Sequence, residues 1–163
     1  MTFKRDIQSF SQALQDAVLK SASDQFLRVM GNTMVNIIVL RTREGYGMRI
    51  TDGNRSRLKP LAPSTIAARR RKRLSSLTSA STSNLTETSA MLSSIKASVS
   101  RGKILIKPTG IRSDGKSNQS VANYVSDVRP FLTLGRAEFN KVVDIYETGL
   151  DASLKQSLSR LRR

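Results

Sequence analysis

The sequence predicts an α+β fold, with a long N-terminal helix and a C-terminal helix packed on a small antiparallel β-sheet and a long basic loop between. Three observations lead there. Apolar residues recur every three or four positions at both ends of the chain, they alternate in twos in the middle, and a stretch with neither period collects most of the excess charge. A chain of 163 residues suits one domain. Its expected parts are a helical arm at 1–43, a basic, Ser/Thr-rich loop at 44–89, the sheet at 90–134 and the C-terminal helix at 135–163.

The first stripe runs through Phe3, Ile7, Phe10, Leu14 and Val18, and continues through Ala22, Phe26, Met30 and Met34 to Ile38. Spacings of three and four place these side chains on one helical face. Ser23-Asp24 is a cap signal and Gly31-Asn32 a weak point, so the prediction is one long or once-broken helix of up to about 55 Å. Such a helix cannot cover its stripe with a small domain alone, so either the C-terminal half packs against it or neighbouring subunits do. In the latter case Phe3, Ile7, Phe10, Leu14 and Val18 are candidate subunit-interface residues.

Residues 44–63 hold three glycines and two prolines and read as a loop with a short extended piece at Met48–Thr51. A short helix is expected over Ser64–Arg73, after Pro63. The Ser/Thr-rich run at 75–89 has little to bury and reads as a connector. Ile95, Ala97 and Val99 then alternate with polar residues, as do Ile104 and Ile106, with Arg101-Gly102 between them, which is a hairpin signal. The stretch Val121–Val128 is ambiguous. Phe131–Leu134 reads as extended, because Arg129 precedes a proline and is biased away from helix. From Phe139 the helical spacing returns through Val142, Val143, Tyr146, Leu150, Leu154, Leu158 and Leu161, weakened at Gly149 by about 1 kcal/mol relative to Ala.

Composition narrows the chemistry. The chain has no Cys and no His, which removes disulfides, thiolate zinc sites, cysteine nucleophiles and the usual general base at neutral pH. It also lacks Trp, and with 5% aromatic residues it is a poor stacking platform for single-stranded nucleic acid. No run of about 18 apolar residues points to a membrane span, and the opening MTFKRDIQSF has no apolar signal core, so a cytoplasm-like compartment is expected. Twelve carboxylates are scattered without a catalytic pairing, Asp52-Gly53 and Asp114-Gly115 are turn residues, and Gly45-Tyr46-Gly47 lacks the remainder of a phosphate loop. No catalytic, cofactor-binding or metal-binding residue is expected, and the chain reads as a non-enzyme.

The formal net charge is +16, and residues 41–73 carry eleven basic and two acidic side chains in about a fifth of the chain. The peak is Arg69-Arg70-Arg71-Lys72-Arg73. Such a run is either a solvated loop or a contact for a polyanion, since Lys and Arg release condensed counterions on binding one. Arg55, Arg57, Lys59 and Arg69–Arg73 are the candidate residues for contact with DNA or with an acidic partner.

The order of short motifs resembles one family. Pro60-Leu61-Ala62-Pro63-Ser64-Thr65 runs into the basic stretch, Thr88-Ser89-Ala90-Met91-Leu92-Ser93-Ser94-Ile95 leads into the hairpin, and Arg129-Pro130-Phe131-Leu132 precedes the last helix. In this order the chain resembles phage tail-completion proteins, also called neck, head–tail joining or virion-morphogenesis proteins. The family's "TG" glycine is Ser89 here, and the usual "YA" is replaced by Asn123-Tyr124-Val125. The resemblance gives Pro60, Pro63, Thr88, Leu92, Ile95, Arg129, Pro130 and Phe131 structural roles. It implies a structural virion protein without cofactor, assembled in the host cytoplasm as a ring, often a hexamer, at the head–tail junction. Its neighbours would be neck or connector proteins and tail-tube or tail-terminator proteins, with genomic DNA passing through the lumen and no membrane involved. The alternative is a basic nucleic-acid-binding protein of an architectural or ribosome-associated kind.

Overall fold

The computed structural model describes residues 10–12, 14–16, 23–49, 51–72, 79–83, 85 and 90–161. They form a mixed helix-and-sheet, α+β structure. Residues 10–12 and 14–16 are helical. The first long helix, α1, spans Asp24–Arg43. It starts where the sequence carries its cap signal: Ser23 is extended (φ −65°, ψ 146°) and its side chain accepts a hydrogen bond from the Phe26 N–H. The stripe from Phe3 to Ile38 is therefore interrupted at Ser23 and is not a single straight rod. Gly31 does not break α1. It lets the helix approach the hairpin, because a Cβ there would lie 2.6 Å from Ala97 Cβ and 3.0 Å from Ile104 Cγ2.

The segment expected to be a loop carries structure. Strand β1 (Tyr46–Met48) pairs antiparallel with β2 (Arg55–Arg57), Gly47 opposite Ser56. The extended piece thus lies earlier than Met48–Thr51, and Thr51 and Asp52 form the turn. Helix α2 spans Pro63–Arg71, with Pro63 in its first turn where the missing N–H costs nothing.

The region read as one sheet is a hairpin framed by helices. A short turn of helix, α3 (Ala90–Ser93), leads into β3 (Ile95–Ser100), which pairs in register with β4 (Lys103–Pro108). Arg101 (φ 50°) and Gly102 (φ 70°) both take left-handed backbone, as the two-residue turn of a twisted hairpin requires. The ambiguous stretch is helix α4 (Asn118–Val128), capped by Ser117, whose side chain accepts from the Ser120 N–H. Phe131–Leu134 is not a strand, because its carbonyls go elsewhere: Arg41 donates to those of Phe131 and Thr133. The two two-stranded sheets are separate. The final helix, α5, spans Arg136–Leu161.

The core gathers Ile38 from α1, Met91 and Leu92 from α3, Ile95 from β3, Ala122 from α4, and Phe131, with half-buried Val35, Val39, Ile106, Val121 and Val125 around it. Phe131 is fully buried, which for a ring of this size contributes on the order of 3 kcal/mol. Helix α5 lies along α1. Phe26 meets the Tyr146 ring edge to face at 5.6 Å, and Arg41 meets Glu138 at the other end.

Candidate functional site

Alternation along β2 places Arg55 and Arg57 on one side of the small hairpin, and Lys59 follows two residues beyond the strand. Arg55, Arg57 and Lys59 are exposed, while Leu58 between the last two is buried. The Arg55 guanidinium sits 4.0 Å above the centre of the Tyr46 ring, and that of Arg57 lies 5.8 Å from it. One aromatic ring thus attracts two like charges through its quadrupole. Glu44 pairs with Arg55 and is the one carboxylate in this group. Beside the row, a groove of about 510 Å³ is lined by Tyr46, Arg57, Lys59, Ser81, Thr82 and Ser83.

The 79–83 side of that groove is tied in place by two arginines, Arg69, expected as a contact residue, and Arg129, expected to be structural. Arg69, expected to face a partner, is 4% exposed and donates from Nη1 to the carbonyls of Ser79 (3.0 Å) and Thr82 (3.1 Å). It is a strut of the fold and not a contact residue. Arg129 donates from Nε to Ser83 Oγ (3.0 Å) and the Lys59 carbonyl (3.3 Å), joining the 79–83 segment to the end of the cationic row. Arg70, Arg71 and Lys72 stay on the surface, and Arg73 lies outside the described residues. The basic run is therefore divided: Arg69 is buried, while Arg70, Arg71 and Lys72 are exposed.

The motif residues separate in the same way. Leu92 and Ile95, close in sequence, meet the distant Phe131 in the core. Pro130 presents its carbonyl to the Met48 N–H at 2.9 Å, and a Cβ on Gly47 would lie 2.1 Å from that oxygen, so only glycine fits there. Pro60 and Pro63 are exposed and frame α2, while Thr88 lies outside the described residues. Of the expected interface residues, Phe10 (51%) and Leu14 (44%) are exposed, and Phe3, Ile7 and Val18 lie outside the described residues.

The tie that sequence reasoning missed is Arg41, which is 3% exposed. It donates to Glu138 Oε2 (2.5 Å) and to the carbonyls of Phe131 (2.5 Å) and Thr133 (2.9 Å). The same Glu138 oxygen accepts the Gly135 N–H at 3.0 Å, so one carboxylate caps α5 and anchors α1. Burial pulls the Arg41 guanidinium below its ordinary value, and Glu138 opposes that pull. The sequence signal was weak: an arginine in the last turn of a helix ordinarily answers only the helix dipole.

Chemically this arrangement is suited to holding polyanions or acidic surfaces. The cations are exposed, with hydroxyls and a groove alongside. Among the described residues no helix is long and apolar enough to cross a membrane. No family model, curated protein or solved structure significantly matches this chain.

Proposed function

We propose that this chain is a structural, non-enzymatic component of a tailed-phage virion, a tail-completion or neck subunit that assembles into a ring at the head–tail junction. The observation that carries the reading is an unfinished surface. Among the described residues nine hydrophobic side chains are buried, while ten large ones, including Phe10, Ile111, Tyr124 and Phe139, are exposed. A subunit can bury such surface against its neighbours. The meeting of Leu92, Ile95 and Phe131 in one core supports the resemblance, because the motif positions are then the ones that hold the shared framework together. Neck, connector or tail-tube proteins would be its neighbours, and the Arg55–Lys59 row would face them or the DNA in the lumen.

That cationic row also favours a second reading, a basic nucleic-acid-binding protein outside any virion. Negative-stain electron microscopy of the purified chain separates the two. Closed rings with a central opening support the neck reading. Dispersed single copies that bind duplex DNA, with affinity falling steeply as salt rises, support the second.

A further inference from the structure

In a chain of net charge +16, one segment of α5 is acidic although the whole helix is neutral. The stretch from Glu138 to Asp151 holds four of the twelve carboxylates and a single cation, Lys141. Glu138 faces inward to Arg41, as described above. The other three, Asp144, Glu147 and Asp151, are spaced three and four apart, so they form one stripe on α5, bounded by Lys141 and Lys155. All three are exposed, and among the described residues none makes an ion pair. The stripe lies opposite the face that buries Val142 and packs Gly149 against Phe26. Beside it run exposed Phe139 and half-buried Val143, Leu150 and Leu154.

We propose that copies of this chain dock head to tail, the carboxylate stripe of α5 in one copy lying along the Arg55–Arg57–Lys59 row of the next. The proposal rests on the ring reading and specifies which faces meet. The charges are complementary. Three carboxylates at successive helical turns cover about 10 Å, while Arg55 and Arg57 at alternate positions of β2 lie about 7 Å apart, with Lys59 two residues beyond the strand. Within one copy no ion pair joins the two sets among the described residues. The apolar flank of Phe139, Val143, Leu150 and Leu154 supplies the area to bury, and the ion pairs set the register. Docked head to tail, the two faces make a heterologous contact, which closes into a ring or continues as a filament.

Charge reversal tests it by sedimentation velocity at low salt, with circular dichroism confirming that each variant is folded. The triple variant Asp144→Lys/Glu147→Lys/Asp151→Lys and the triple variant Arg55→Glu/Arg57→Glu/Lys59→Glu are each expected to weaken self-association at least tenfold. Combining all six substitutions, or mixing the two triple variants, is expected to restore it. The milder set Asp144→Asn/Glu147→Gln/Asp151→Asn is expected to give an intermediate loss. Wild-type association by either triple variant alone, or no recovery in the combined variant, overturns this interface while leaving the ring reading standing. A wild-type chain that stays a single copy overturns both.

Discussion

Arg41 concentrates more of the fold than any other side chain described above. Its guanidinium is buried, ties α1 to the irregular segment after Pro130, and shares Glu138 with the start of α5. Arg41→Met would leave Glu138 uncompensated and two carbonyls without their donor. The expected loss is about 3–5 kcal/mol of stability, read as a lower midpoint in urea unfolding. A midpoint equal to wild type would mean that water serves those carbonyls equally well. Asp52 belongs to the same scale but to the surface. The Asn54 backbone N–H, with Arg49 adding to it, holds its carboxyl below the ordinary aspartate value of 3.8. A depressed folded value means its contribution is complete above the ordinary value and disappears as pH falls through the lower one. An NMR titration of the Asp52 carboxyl is expected to give a midpoint below 3.8, and a midpoint at or above it would contradict this turn geometry. At this scale the sequence was legible for Phe131, Leu92 and Ile95, whose apolar character leaves one place to go. It was not legible for Arg41 or Arg69, because an arginine reads as a surface charge until the carbonyls that receive it are brought near by distant parts of the chain.

Elements were legible where a period was long and unopposed. The hairpin at Ile95–Pro108, with its turn at Arg101-Gly102, and the C-terminal helix come directly from two-residue and four-residue spacing. The cap at Ser23 marks the true start of α1. Short segments were harder. The β1–β2 pair consists of three-residue strands, too short for alternation to register, and it exists because Gly47 can lie against the Pro130 carbonyl. Phe131–Leu134 has a strand-like composition, but no partner strand arrives, and Arg41 takes two of its carbonyls instead. Gly149 shows how packing reverses an intrinsic preference. In an exposed helix, Gly→Ala gains about 1 kcal/mol. Here a Cβ would sit 2.5 Å from Phe26 Cε2, where α5 crosses α1. Gly149→Ala is therefore expected to lower the melting temperature, at a cost of about 1–3 kcal/mol from overpacking. A raised melting temperature would show that Phe26 moves aside freely.

For the molecule as a whole, charge and apolar surface are both unevenly distributed. Eleven basic side chains fall within residues 41–73, and the fold spends Arg41 and Arg69 internally while presenting Arg55, Arg57, Lys59, Arg70, Arg71 and Lys72 outward. Carboxylates gather on the outer side of α5, and large apolar side chains remain exposed on α1, α4 and α5. The net charge was readable from composition, but its separation into a cationic row and an acidic stripe appears only once β2 and α5 are placed. Such polarity suits a repeating unit, because each face is complementary to a different face of the next copy. Native mass spectrometry of the intact chain at low salt tests this most directly. The account predicts one dominant species whose mass is a fixed multiple of 18.0 kDa and does not grow with concentration, the mark of a closed ring. A spectrum holding only the 18.0 kDa single chain at every concentration would contradict it.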